Sequence, residues 1–133
     1  MTSLSVLLVE DNPANQAVIK AMLGRFDVNL TVVLSGELGI ESAMKFNFDL
    51  ILMDFQLPGL SGAEAARKIR AYENEKRFGE KKAIIIAFTA EAFKETEIDC
   101  LNAGMNGFLT KPLKFQVLID KLAYFGIDLK NRI

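Results

Sequence analysis

Residues 50–54 are Leu50-Ile51-Leu52-Met53-Asp54, four apolar residues closed by a carboxylate and followed by a turn at Pro58-Gly59. A run this short and this apolar predicts a strand buried on both faces, as strands are in a parallel sheet covered by helices. Four further runs of this kind occur, and each precedes a stretch with the apolar spacing of a helix. The predicted strands are 6–9, 30–34, 50–54, 83–88 and 107–110, and the predicted helices are 13–26, 37–46, 63–75, 92–102 and 114–125.

Five strand-then-helix units in succession predict an α/β fold, a single doubly wound parallel sheet of five strands with helices on both faces. Local signals agree: Asn12 and Pro13 suit the start of the first helix, and Gly104 suits the position just after the fourth. No repeat or linker divides the 133 residues. We therefore expect one domain over 1–133, with a core of about 4–125 and a solvated charge run at 73–82. The tail at 126–133 is expected either to fray or to lead into a further segment.

Composition narrows the class of protein. A net charge of -1, a pI near 5.5 and the lack of a basic stripe disfavour direct nucleic-acid binding. The sequence has no histidine, which excludes histidine-based acid/base chemistry and histidine-ligated metals. The single cysteine, Cys100, cannot form an intrachain disulfide and is expected to be a small buried residue on the fourth helix. The sequence shows no features of a signal peptide and no bilayer-spanning apolar run, so we expect a cytoplasmic domain without membrane contact.

Polar side chains follow four of the predicted strands at their carboxyl ends, where ligands bind in open parallel sheets. They are Glu10, Asp11, Asp54, Thr89 and Lys111. Close carboxylates repel one another unless a cation intervenes, and Mg²⁺ prefers such hard oxygen ligands. A lysine ammonium binds phosphate, and a threonine hydroxyl can donate to a phosphoryl oxygen. The set predicts phosphoryl transfer with Asp54 as the nucleophile.

Four stretches, spread from the first strand to the last helix, resemble the receiver domain of two-component response regulators and hybrid histidine kinases. They are 6–13 (Val-Leu-Leu-Val-Glu-Asp-Asn-Pro), 52–59, 87–90 and 108–113. The resemblance implies the flavodoxin-like strand order 2-1-3-4-5. It also implies a phosphoacceptor in two-component or phosphorelay signalling, which is not an enzyme acting on metabolites. Its partners would be a histidine kinase or histidine phosphotransfer domain and an effector domain or downstream protein. The Asn-Pro-Ala-Asn start of the first helix favours a hybrid-kinase or phosphorelay receiver.

The resemblance implies a role for each residue at the acidic edge. Asp54 would accept a phosphoryl group from a partner's phosphohistidine. Asp11 would bind Mg²⁺ or Mn²⁺ directly, Glu10 directly or through water, and Asp54 with the backbone carbonyl of Gln56 would complete the ligands. Lys111 would pair with Asp54 and then with the phosphoryl oxygens.

The resemblance also implies a switch. Thr89 would move towards the phosphoryl group and Phe108 would move with it, which changes the face made by the fourth helix, fifth strand and fifth helix. The Lys111–Pro112 bond would be cis. Gln56 and Glu91 stand at positions that tune the lifetime of the acyl phosphate, and the lifetime itself does not follow from the sequence.

Each of these residues also has an ordinary structural interpretation when taken alone. Asp11 and Thr89 can cap helices, Lys111 can be a solvated lysine, and Phe108 can be core. Enzymes on the same architecture are a second class, but a flavin site needs a phosphate-binding loop where this chain has 10–13, and a haloacid-dehalogenase-type phosphatase needs a second aspartate at Pro13. A receiver-like interaction domain that takes no phosphate is a third.

Overall fold

The computed structural model describes residues 3–91 and 93–132 as one central sheet with helices on both faces. The strands are β1 (Leu4–Val9), β2 (Val28–Val33), β3 (Leu50–Asp54), β4 (Ile84–Thr89) and β5 (Gly107–Thr110). The helices are α1 (Pro13–Leu23), α2 (Gly36–Lys45), α3 (Gly62–Lys76), α4 (Lys94–Asn102) and α5 (Phe115–Tyr124), followed by a 3₁₀ helix at Leu129–Asn131. All neighbouring strands are parallel, in the order β2-β1-β3-β4-β5. The predicted fold class and strand order are confirmed.

The sheet separates two apolar layers. One layer packs α1 and α5 against the sheet, with Ile19, Leu118 and Leu122 at its centre. The other packs α2, α3 and α4 against the opposite face, with Ile69 and Cys100. Strand β3 is buried along its whole length, which is the reason that residues 50–54 carry no polar side chain before Asp54. No helix within the described ranges is long and apolar enough to cross a membrane.

Several element boundaries differ from the predicted ones. Helix α1 ends at Leu23 because Gly24 follows it, and β2 begins at Val28, two residues earlier than predicted. Helix α4 begins at Lys94, and the predicted start at position 92 lies outside the described residues. Gly104 has φ +88 directly after the end of α4, so the predicted C-terminal glycine is confirmed.

The tail does not fray over its described part. Ile127 and Leu129 are buried in the layer that holds α1 and α5, and the backbone N–H of Asp27 donates to the carbonyl of Arg132. The prediction of fraying was wrong because two apolar residues beyond α5 are too few to show a period, yet they cover the end of that layer. The core therefore extends past residue 125.

The charge run at 73–82 is not wholly solvated, because its first member is buried. The Oε1 atom of Glu73 lies 2.7 Å from Nη1 of Arg70, and its Oε2 atom accepts from the backbone N–H of Ala83 at 3.0 Å. Arg70 also donates from Nε to the carbonyl of Gly104 and from Nη2 to Oδ1 of Asn106, both at 2.8 Å. This group of Arg70, Glu73, Gly104 and Asn106, called here the Arg70 clamp, joins α3 to the start of β4 and to the α4–β5 loop.

We expect Cys100 to resist alkylation in the folded protein. Its side chain is fully buried, and burial, with smaller contributions from Asp99 and Glu97, raises the pKa of its thiol to about 11. The reactive thiolate is therefore almost absent at pH 8. Intact mass after iodoacetamide treatment should show no adduct in buffer and one adduct in urea. Rapid labelling without denaturant would contradict the structural role assigned to this cysteine.

Candidate functional site

Three carboxylates meet at the carboxyl ends of β1 and β3. Val9 pairs with Met53 in the sheet register, so Glu10 and Asp11 leave β1 beside Asp54 at the end of β3. One carboxylate oxygen of each of the three acids lies within 4.8 Å of the others. Glu10 and Asp54 are buried, whereas Asp11 is exposed. The sequence prediction that these acids form one cluster is confirmed.

Glu10 is the unusual member of this cluster. It is fully buried, and its Oε2 atom has no hydrogen-bond partner among the described residues. Burial raises the pKa of its carboxyl to about 7, the nearby Asp54 adds to the rise, and a hydrogen bond from Asn15 opposes it. A buried carboxylate oxygen without a donor is costly unless a cation or a proton satisfies it. The donor set of three carboxylates, one with such an oxygen, fits a hard divalent cation such as Mg²⁺.

Asp54 is held by two donors on its other sides. Its Oδ2 atom lies 3.0 Å from Nζ of Lys111, and its Oδ1 atom accepts from the backbone N–H of Gln56 at 3.0 Å. The Lys111 ammonium also lies 5.5 Å from the centre of the Phe88 ring, which helps to fix its position. The Lys111–Pro112 bond is cis, as predicted. The Lys111 ammonium thus lies against Asp54 on one side, and Glu10 and Asp11 lie near Asp54 on the other.

Thr89 and Phe108 lie on the neighbouring strands. Thr89 ends β4 and is fully buried, and its Oγ1 atom accepts from the backbone N–H of Glu91 at 3.2 Å. The backbone N–H of Lys111 donates to the Thr89 carbonyl at 2.8 Å. Phe108 pairs with Ala87 in the register and is half-buried against the layer of α3 and α4. Thr89 thus follows Phe88, the register partner of Asp54, whereas Phe108 lies one strand further away, on β5. The movement of both residues and the role of the Gln56 carbonyl stay predictions.

The geometry agrees with a comparison against protein families. Residues 6–123 match the model of the response regulator receiver domain. The chain belongs to this receiver-domain family. The receiver domain carries its acids at the ends of the first and third strands and its lysine after the fifth, as the resemblance of the four sequence stretches implied. It therefore serves phosphorelay or two-component signalling.

Individual relatives of this receiver domain include sensor kinases and a phosphorelay response regulator. It is 40% identical over 122 residues to the autoinducer 2 sensor kinase/phosphatase LuxQ of Vibrio vulnificus, and the match covers 92% of this chain but only 14% of LuxQ. It is 42% identical to the receiver domain of the sensor histidine kinase PA1611 from Pseudomonas aeruginosa PAO1, with a TM-score of 0.80, 95% of this chain covered and 100% of the other. That crystal structure has a magnesium ion coordinated in the active-site cleft.

A third relative was solved with a partner. The receiver domain of the response regulator Ssk1 from Saccharomyces cerevisiae, crystallised with the histidine phosphotransfer protein Ypd1, is 35% identical to this chain. The TM-score is 0.86, and the match covers 94% of this chain and 90% of the other. The overall fold is thus similar to that of the PA1611 receiver domain and to that of the Ssk1 receiver domain.

The sequence did not reveal the support for Glu10 provided by α1. The Oε1 atom of Glu10 accepts from Nδ2 of Asn15 at 2.9 Å and from the backbone N–H of Asn12 at 3.2 Å. The backbone carbonyl of Glu10 accepts from Nε2 of Gln16 at 2.7 Å. The available signal was the spacing of Asn12 and Asn15, one helical turn apart directly after the acidic pair.

We expect Glu10→Gln to stabilise the metal-free protein and to weaken its Mg²⁺ binding. The amide removes a buried charge and can still accept from Asn15. Its N–H₂ group replaces the Oε2 atom, which accepts no hydrogen bond within residues 3–91 and 93–132. The folded protein keeps a proton on Glu10 up to about pH 7 that the unfolded chain loses near pH 4.5, so ionisation of Glu10 lowers stability as the pH rises through this window. The gain should therefore be small at pH 5 and about 1–3 kcal/mol at pH 8.

Urea unfolding in EDTA at the two pH values measures this effect, and Mg²⁺ titration measures the loss of affinity. Glu37→Gln, at an exposed acid on α2, is the matched control and should change neither quantity. Equal unfolding free energies of Glu10→Gln and wild type at pH 8 would show that the buried carboxylate carries no cost.

Proposed function

We propose that this domain takes a phosphoryl group from a partner phosphohistidine onto Asp54 in a Mg²⁺-dependent reaction. The observation that carries the proposal is the pairing of Asp54 with Lys111 at 3.0 Å beside two further carboxylates. One of these has a buried oxygen to which no residue that the structure describes donates a hydrogen bond. A nucleophilic carboxylate, a fixed ammonium and a cation site together meet the needs of phosphoryl transfer, which are positioning and charge neutralisation. The partner would be a histidine kinase or a histidine phosphotransfer domain.

In this reaction a carboxylate oxygen of Asp54 forms a P–O bond while the P–N bond of the phosphohistidine breaks and its electron pair returns to the imidazole. Asp11, Glu10, Asp54 and the backbone carbonyl of Gln56 would hold the cation. Mg²⁺, when bound, supplies charge neutralisation for the phosphoryl oxygens. Lys111 exchanges part of its contact with Asp54 for the phosphoryl oxygens, which keeps its positive charge at the site.

The output of the domain would be a changed surface and not a released product. Thr89 would turn its hydroxyl from the Glu91 N–H towards the phosphoryl group, and Phe108 would follow into the space behind it. Phe108 lines a cavity of about 240 Å³ together with Leu101 of α4 and Tyr124 of α5, so its movement would reshape the face of α4, β5 and α5. Phosphorylation would shift the populations of two forms of this face. An effector domain or downstream protein would bind there.

The single buried cysteine also leads us to infer a reducing compartment, the cytoplasm, for this domain.

The experiment that tests the proposal is transfer from a phosphorylated histidine phosphotransfer protein, followed by intact mass of this chain. With Mg²⁺, the chain should gain one base-labile phosphoryl group as the donor loses its own. With EDTA the transfer should be lost. A wild-type chain that gains no phosphoryl group, from either this donor or acetyl phosphate at saturating Mg²⁺, would leave an interaction domain that takes no phosphate.

A further inference from the structure

The carboxylate of Glu10 is fixed from one side only. Its Oε1 atom accepts two hydrogen bonds, from Nδ2 of Asn15 at 2.9 Å and from the backbone N–H of Asn12 at 3.2 Å. Its Oε2 atom accepts none from the described residues, although the side chain is fully buried. Oε1 is therefore engaged by the protein, whereas Oε2 is available to a ligand.

Asn15 is itself held in place by the start of α1. Asn12, the N-cap residue, accepts with Oδ1 from the backbone N–H groups of Ala14 at 2.8 Å and Asn15 at 3.1 Å. Gln16, the next residue, donates from Nε2 to the carbonyl of Glu10 at 2.7 Å. The first turn of the helix thus fixes both the backbone and the side chain of Glu10. A donor anchored in this way gives its carboxylate one orientation.

The chemistry of the donor matters as much as its position. An amide N–H₂ group orients a carboxylate without bringing a positive charge, so Glu10 keeps its full attraction for a cation. A lysine or arginine at position 15 would hold the carboxylate equally well but would compete with a divalent cation for it. Groups that hydrogen-bond to a metal ligand in this way typically change metal affinity by about 10–100-fold.

We propose that Asn15 is a positioning residue of the cation site, which holds Oε1 of Glu10 so that Oε2 is left for a divalent cation. The inference rests on the proposed function, because it takes the acidic cluster to be the Mg²⁺ site. It adds a residue outside the predicted ligand set, on a helix that contributes no ligand. Asn15 acts on the affinity for the cation, and the phosphoryl chemistry at Asp54 does not require it once the cation is bound.

The first test is Mg²⁺ titration by calorimetry of wild type, Asn15→Ala and Asn15→Leu. Asn15→Ala removes the donor and should raise the dissociation constant about tenfold. Asn15→Leu keeps a similar side-chain volume without the donor and without a new charge, so Glu10 loses its orientation and Mg²⁺ binding should weaken in the same direction. Val18→Ala is the matched control, because Val18 lies one turn further along α1 and lines the same small cavity as Asn15. It should bind Mg²⁺ as wild type does.

A double-mutant cycle separates positioning from a general structural effect. In a Glu10→Gln background, Asn15→Ala should cause no further loss of Mg²⁺ affinity, because the carboxylate that Asn15 orients is absent. An equal loss in both backgrounds would overturn the proposal, and so would unchanged Mg²⁺ binding in Asn15→Ala. The electron paramagnetic resonance spectrum of bound Mn²⁺ should also change in Asn15→Ala and stay constant in Val18→Ala.

The outcome is distinguishable from failure of the proposed function. At saturating Mg²⁺, Asn15→Ala should take up a phosphoryl group from acetyl phosphate to the same extent as wild type. Weak uptake by Asn15→Ala at saturating Mg²⁺ would place Asn15 in the chemistry and overturn its role as a positioning residue. Absence of uptake by wild type would contradict the phosphoacceptor function, while the difference in Mg²⁺ affinity would still decide the role of Asn15.

Discussion

Asp54→Asn should abolish uptake of the phosphoryl group from a phosphohistidine donor. The amide oxygen that replaces the carboxylate is a poor nucleophile, and an acyl phosphate cannot form on it. Lys111 and the Gln56 N–H hold the Asp54 carboxylate in place, both at 3.0 Å, so the substitution removes the acid that these two donors position. Intact mass after incubation with the donor and Mg²⁺ should show the unmodified chain alone, where wild type carries one phosphoryl group.

Asp49→Asn is the matched control for this result. Asp49 immediately precedes β3, at the opposite end of the strand from Asp54, and its Oδ2 atom accepts from the backbone N–H of Ser5 at 2.8 Å. An asparagine can accept the same hydrogen bond, so the fold should be retained and phosphorylation should match wild type. Continued phosphorylation of Asp54→Asn at the wild-type rate would show that another residue is the acceptor. Thermal unfolding of both variants confirms that folded protein is being compared.

Arg70→Met should lower the free energy of unfolding by about 3 kcal/mol, since it removes one partner of a buried ion pair. Glu73 has only 6% of its side chain exposed and would lose its charged partner, though it would keep the Ala83 N–H. The carbonyl of Gly104 would lose its donor from Arg70 in the same change. Methionine retains much of the apolar stem of arginine, so the loss reports the polar contacts. Urea unfolding at pH 7 measures it.

Arg67→Met tests whether the effect belongs to the Arg70 clamp. Arg67 lies on the same helix but is exposed, and substitutions of this kind usually change stability by less than about 0.5 kcal/mol. A loss in Arg70→Met no larger than the loss in Arg67→Met would mean that the clamp contributes nothing to stability. Glu73→Gln gives a further comparison, because it removes the charge while retaining an acceptor for Arg70.

The fold was predictable because its strands are buried on both faces. Such strands appear in the sequence as short apolar runs, and the four other predicted strands are apolar runs of the same kind as residues 50–54. The ends of elements were less predictable, since Gly24 ends α1 earlier than its apolar spacing indicates. The packing of Ile127 and Leu129 was missed because it depends on the apolar layer that the rest of the chain forms. Hydrophobic periodicity indicates which face of a long helix or strand is buried, but it does not indicate how a short segment packs.

The acidic edge was predictable because parallel strands bring their carboxyl ends together. This rule placed Glu10, Asp11 and Asp54 in one cluster before any distance was known. The contacts of Asn15 and Glu73 were not predictable in the same way. Both are polar residues in polar stretches, and only the three-dimensional structure shows which side chain each one meets. A hydrogen bond between specific atoms has no counterpart in hydrophobic spacing.

The Arg70 clamp determines the point about which helix α4 can rotate. Arg70 holds the carbonyl of Gly104 just beyond the C-terminal end of this helix, whereas Phe93, its N-cap residue, is 61% exposed and brings no side-chain oxygen to the first turn. Helix α4 is thus held by a side-chain hydrogen bond just beyond its C-terminal end, at Gly104, and has no side-chain cap at its N-terminal end. Nine residues span about 13 Å, so a rotation of about 10° around Gly104 would move Lys94 by roughly 2 Å and leave Asn102 almost still. Thr89 ends β4 just before this helix, so a change beside it would act on the end of α4 that can move furthest.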